Sequence, residues 1–290
     1  NTTKKKSFAI KFYPDNYIDK RKRLHNEVMT CKFLNDFIET PNVISYDEEL
    51  NIALFEWIYG NSIININKSF LEQALGFIEK LKDLSKDKSI SIPQASEACL
   101  SANELLSQIE KRYKILEPIK NKSLNNFLEK NFKPIWLRAI EFFNLRWPAK
   151  NFDQSLPQKK QTLSPSDFGI HNSLERQDGR ICFIDLEYFG WDDPVKLCAD
   201  FLWHPAMKLE KEHKIFWLDG VSNIFKNDTE FHQRFIASWP LYGLRWALII
   251  LNEYTNHGWY RRNHAIGSLR SKNILDTQLK KAEIICKEIF

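Results

Sequence analysis

Asp167 and Asn172 stand five positions apart in LSPSDFGIHNSL, and Asp185 follows thirteen residues later in ICFIDLEYFGWDDP. Two carboxylates and a carboxamide on this spacing offer one base and two hard oxygen ligands. Between them, Gln177-Asp178-Gly179 is a turn signal flanked by the strand-like runs Asn172–Arg176 and Arg180–Ile184. A hairpin there carries Asn172 and Asp185 to the same end.

That set suits phosphoryl transfer from a nucleotide. The reaction needs a carboxylate to orient and deprotonate an acceptor hydroxyl, oxygen ligands for Mg2+, and a cation on the phosphates held by a counter-charge. Asp167 is the candidate base, and Asn172 and Asp185 are the candidate metal ligands. Lys11 is the candidate phosphate contact, with Glu27 its counter-charge. Asp, four residues, Asn, a hydrophobic strand and Asp is also the order found in protein-kinase catalytic loops. Each residue alone has a plainer reading: Asp167 as a turn former, Lys11 snorkelling from an edge strand, Glu27 a surface charge. Their joint order argues for the site. His171 reads as a packed loop residue.

Positioning these groups requires particular elements. Ser7–Tyr13 alternates, with Phe8, Ile10 and Phe12 on one face and Ala9, Lys11 and Tyr13 on the other, as a strand does. A helix is expected from about Ile18 to Phe37, its apolar stripe formed by Leu24, Val28, Cys31 and Leu34 and edged by Glu27. Strands follow at Asn42–Tyr46 and Ile52–Ile58. Ser69 with Glu72, and Ser101 with Glu104, read as capping boxes opening helices. Pro134–Trp147 reads as a helix with proline in its first turn. Helices resume near Val195, with breaks expected near Asn227, Trp239–Pro240 and Asn256–Asn263.

The expected fold class is α+β, with a small β-rich N-lobe over residues 1–59 and a large helical C-lobe over 60–290 holding an embedded hairpin. At 290 residues and 43% hydrophobic, the chain can bury a sizeable core. The net charge of +5 is scattered, so no nucleic-acid partner is expected. No apolar run reaches membrane-spanning length. Five cysteines without a CxxC pair are expected to be reduced thiols in a cytoplasmic protein.

The motifs AIK at Lys11, Glu27, FEWI at Phe55–Ile58, SPSDFGIHN and FIDLEYFGWDDP resemble the aminoglycoside phosphotransferase/choline kinase family, the small-molecule branch of the protein-kinase-like fold. The resemblance implies an ATP- and Mg2+-dependent kinase acting on a hydroxyl of a small molecule, with Asp167 as base. It places Glu56, Trp57 and Ile58 at the adenine-binding link between the lobes, and Asp200 where it braces the catalytic loop. Candidate acceptor contacts are Glu187, Trp191, Trp259 and Arg261. The loop Trp259–His264 is basic and aromatic, which favours a neutral or anionic acceptor over a polycationic aminoglycoside.

Two departures from the family pattern stand out. Pro165 and Ser166 replace the histidine and glycine that precede the base. Only seven residues precede Phe8, where the family has two strands and a phosphate-covering turn, so the expectation is either a longer natural protein or a partial N-lobe. The chain does not begin with Met, as a processed or truncated piece would not. The alternative function is a catalytically weak or inactive nucleotide-binding module. The short distance from Asp185 to Asp193-Pro194 leaves no room for a protein kinase's activation segment.

Overall fold

The computed structural model describes residues 6–15, 19–36, 40–87, 91–149, 151–259 and 272–290. The chain forms two compact units. The first comprises residues 1–98, 157–202 and 206–225, and so contains all of residues 1–59. The second comprises 99–156, 203–205 and 226–290.

In the first unit, β1 (Phe8–Phe12), β2 (Val43–Asp47) and β3 (Ile52–Glu56) form an antiparallel sheet in the order β1-β3-β2. Lys11 lies opposite Ala53 in this register. The apolar face of β1 is the outer one: Phe12 is 65% exposed, while Tyr13 is buried. The inner face is given to Lys11 because its charge partner Glu27 sits on α1 (Arg23–Leu34) beneath the sheet.

Helix α1 is shorter than the periodicity suggests. Lys22 adopts a left-handed conformation at its N-cap, and Asp19 just before it is taken up by Arg21 and Arg23. Leu24, Val28, Cys31 and Leu34 are all buried, as their spacing predicts.

After β4 (Gly60–Ser62) comes α2 (Lys68–Leu84). Its cap is Asn67, whose side chain accepts from the Phe70 N–H at 2.8 Å, and not the expected Ser69–Glu72 box. Asparagine outcompetes serine here because it sits where the chain is still extended and its oxygen reaches the third amide of the helix.

The expected hairpin forms as β6 (Ser173–Arg176) and β7 (Ile181–Phe183), with Gly179 at φ 80 in the turn. Strand β4 pairs with β6 to complete a three-stranded sheet. Gln73 on α2 clamps the turn: Nε2 donates to the Gly179 carbonyl at 3.0 Å, and Oε1 accepts from the Ile181 N–H at 2.8 Å. Gln73→Ala should therefore lower stability by about 1–2 kcal/mol in chemical denaturation. A variant with unchanged stability would show that the hairpin holds without this clamp.

Strands β5 (Thr162–Ser164) and β8 (Gly190–Asp192) pair on either side of the hairpin in sequence. They hold the entry to the Asp167 loop and the exit from the Asp185 loop together. Helices α6 (Pro194–Trp203) and α7 (Lys211–Ile224) follow. Phe201 stacks on Trp217 at 3.6 Å, and Phe168 joins them with Phe77 and Phe183. This aromatic cluster anchors the residue next to Asp167.

The second unit is helical. Helix α3 (Ala102–Leu116) opens with the full capping box of Ser101 and Glu104. The helix expected from Pro134 begins earlier: α4 (Lys122–Phe127) leads through a π-helical turn at Leu128–Phe132 into α5 (Lys133–Arg146). The wide turn, with the Lys133 N–H donating to the Leu128 carbonyl, absorbs the missing N–H of Pro134. Helix α8 (Phe231–Ile250) runs straight through the break expected at Trp239–Pro240. Ala237, Leu241 and Leu244 are fully buried around the proline, and that packing outweighs the roughly 3 kcal/mol an interior proline costs. Helix α8 packs against α3, α5 and α9 (Lys272–Glu288).

Candidate active site

The site lies within the first unit and is organised around Lys11. Its Nζ is 2.5 Å from Glu27 Oε2, bonds directly to Asp185 Oδ1, and is 3.3 Å from Glu187 Oε2. Burial alone would lower the Lys11 pKa. Glu27, Asp185 and Glu187 outweigh that and hold the ammonium above the ordinary lysine range. Burial pushes Glu27 upward against the pull of Lys11. The Tyr13 hydroxyl, itself pushed up by burial and by Glu27, donates to Glu27 Oε2 at 2.6 Å.

Glu187 is buried and doubly engaged, by Lys11 and by Arg23 at 2.7 Å. Asn26 Nδ2 donates to the carbonyls of Glu187 and Phe189 at 2.8 and 3.1 Å, tying α1 to the segment after Asp185. Helix α1 thus sets both the counter-charge and the loop it faces.

On the loop side, the Ile184 N–H donates to the Asn172 carbonyl at 3.0 Å. This rung places Asp185 one residue beyond the hairpin's end and Asn172 at its start, as the turn signal predicts. Asn172 Nδ2 donates to the Asp167 carbonyl at 3.0 Å. That bond ties the loop to the hairpin. Asp185 has φ 61 and Ser166 φ 65. Left-handed backbone at two non-glycine residues flanking one site is strain of the kind that concentrates at functional positions. Burial raises the Asp185 pKa, opposed by Lys11 and reinforced by Glu187 and Asp167.

Asp167 Oδ1 is 2.8 Å from His171 Nε2. His171 is therefore a partner of the candidate base and not the packed loop residue expected. Sequence reading also passed over Tyr13 and Arg23. The signals were present: Tyr13 stands two residues from Lys11 on the same strand face, and Arg23 four residues before Glu27 on the same helix face.

Glu56 ends β3, and its carboxylate accepts from Asn42 Nδ2 at 2.8 Å. Trp57 is 50% exposed and Ile58 is buried. Trp191 is buried in β8, its backbone bonded to Pro93 and Ala95. The Trp259 N–H donates to the Thr255 carbonyl. Arg261 lies outside the described residues. None of the five cysteines forms a disulfide, and all are buried.

A small antiparallel sheet over a helix, followed by a hairpin embedded among helices, is a kinase-like α+β arrangement. Residues 1–223 match the phosphotransferase enzyme family, and the chain belongs to it. Among solved structures, it is similar to the choline kinase LicA from Streptococcus pneumoniae, with TM-score 0.56 and 15% identity, covering 99% of this chain and 88% of that one. A choline/ethanolamine kinase family protein from Mesorhizobium loti superposes with TM-score 0.60 and 14% identity, covering 96% and 82%. The ADP-bound aminoglycoside phosphotransferase APH(2'')-Ib gives TM-score 0.54 and 15% identity, covering 98% and 88%. No curated protein sequence matches the chain. No helix among the described residues is long and apolar enough to cross a membrane.

Proposed function

We propose that this chain is a cytoplasmic kinase that transfers the γ-phosphate of ATP to a hydroxyl of a small molecule. The observation that carries the reading is the convergence of Glu27 and Asp185 on Lys11, with Asn172 bonded both to the Asp167 carbonyl and to Ile184, the neighbour of Asp185. Residues 1–59 supply the nucleotide-binding part, with Glu56, Trp57 and Ile58 along the adenine. Residues 60–290 supply the loop and the acceptor-binding helices.

Asp167 accepts the proton of the acceptor hydroxyl. The hydroxyl oxygen bonds to the γ-phosphorus, the bond from that phosphorus to the β–γ bridging oxygen breaks, and ADP leaves. Lys11 contacts the phosphates, held by Glu27. Asn172 and Asp185 would hold Mg2+, and their oxygens are of the hard type it takes. When bound, that ion neutralises phosphate charge. The acceptor is a small hydroxyl compound, such as an amino alcohol or a sugar. The basic residues near Trp259 favour a neutral or anionic member.

Two measurements test this. ATP with Mg2+ should stabilise the protein by about 2.7 kcal/mol at a hundredfold excess over Kd, and ATP without metal by clearly less. A panel of choline, ethanolamine, sugars and aminoglycosides should reveal at least one compound that accelerates ADP release. Equal stabilisation with and without Mg2+, and no response to any hydroxyl compound, would leave a nucleotide-binding module in place of a kinase.

A further inference from the structure

Lys196 on α6 is 1% exposed, yet it is a lysine. Its Nζ is 2.8 Å from Asp192 Oδ2 and 3.1 Å from Asp200 Oδ2, four residues to either side. It also lies 3.5 Å from Ser166 Oγ, a long hydrogen bond. Taking an ammonium out of water costs several kcal/mol unless it is well paired. A leucine would fill the same helix position without that cost. The two aspartates explain how the charge is tolerated, and the serine shows where it points.

Ser166 immediately precedes Asp167, and its φ of 65 is unfavourable for a side-chain-bearing residue. Three contacts hold it there. Its N–H donates to Ser164 Oγ at 3.1 Å, its Oγ donates to the Ser96 carbonyl at 3.3 Å, and the same Oγ accepts from Lys196. A hydroxyl that donates one bond and accepts another is fixed in rotation. Fixing it pins the backbone on which Asp167 turns.

We propose that Lys196 is a positioning residue. Anchored between Asp192 and Asp200, it locks Ser166 in its left-handed conformation and so presents Asp167 beside Asn172 and Asp185. This rests on Asp167 being the base. The helix that follows the Asp185 loop thereby reaches back to the loop that precedes the hairpin, and one charge couples the two.

The test uses Ser166→Ala, Lys196→Met and the double variant, with Asp167→Asn as control. Because Lys196→Met can misfold with two aspartates left buried, Ser166→Ala carries the decision. Ser166→Ala should raise amide exchange over residues 165–169 about tenfold while protection elsewhere stays unchanged. It should lower kcat for MgATP turnover, with water as acceptor, about tenfold, the scale of one ordinary hydrogen bond. KM for ATP should stay within about twofold, since Lys11 and Glu27 are untouched. A folded double variant should be worse than Lys196→Met only by the loss of the Ser166–Ser96 bond, because the Lys196–Ser166 contact is absent from both. Wild-type exchange and kcat in Ser166→Ala would overturn the brace and leave Asp167 as base. Wild-type turnover in Asp167→Asn would instead overturn the base, with loop exchange still deciding the brace.

Discussion

Asp167→Ala will lower turnover by about 10²–10⁴ while leaving nucleotide affinity within a small factor of wild type. Asp167 is the loop carboxylate at the hairpin's mouth, and its backbone is held by Asn172 and Pro165 regardless of its side chain. Truncation removes the proposed proton acceptor without releasing the loop. The groups assigned to the phosphates, Lys11 and Glu27, sit on β1 and α1 and keep their bond. His171 loses its partner at 2.8 Å, so Asp167→Asn is the cleaner companion: it keeps a hydrogen-bonding group of the same shape and removes the charge. Both variants should show the same fall in kcat with little change in KM for ATP. Turnover at the wild-type rate in either one removes Asp167 from the chemistry.

Lys11→Met will destabilise the fold by about 3–5 kcal/mol, beyond any loss of activity. Lys11 is the cation shared by Glu27, Asp185 and Glu187, whose carboxylate oxygens lie within 4.8 Å of one another. Methionine keeps most of the volume and removes the charge. Glu27 is then a buried carboxylate with only the Tyr13 hydroxyl for support. The expected result in chemical denaturation is a lower midpoint with an unchanged slope. Adding Glu27→Gln should recover part of the loss, because the orphaned charge disappears with it. If Lys11→Met is as stable as wild type, the Lys11–Glu27 bond contributes nothing to the fold and the three carboxylates tolerate one another unaided.

Much of the site was legible because its signals are local. Asp167, Asn172 and Asp185 carry chemistry by residue type, and Gln177-Asp178-Gly179 can only be a tight turn, so the hairpin that aligns them follows from adjacent residues. The capping box at Ser101 is equally local, and it forms as written. Lys11 and Glu27 were legible as types, and their pairing was legible as an expectation from order.

What failed were inferences that set a weak local preference against burial. Trp239–Pro240 reads as a break, yet α8 continues because Ala237, Leu241 and Leu244 around the proline are fully buried. Ser69 reads as a cap, yet Asn67 is the residue left extended where the sheet releases the chain. His171 reads as loop packing because no sequence rule brings it onto Asp167.

The sequence by itself determined the chemical inventory, the hairpin register and the inward face of α1, since each depends on neighbours within a few positions. Only the tertiary structure decided that β1 turns its apolar face outward, that Glu187 serves Lys11 and Arg23, and that a buried Lys196 meets Ser166. Those contacts join residues as far apart as Lys11 and Glu187. Their partners are chosen by the cost of burying a charge alone, and that cost exists only once the chain has closed around it.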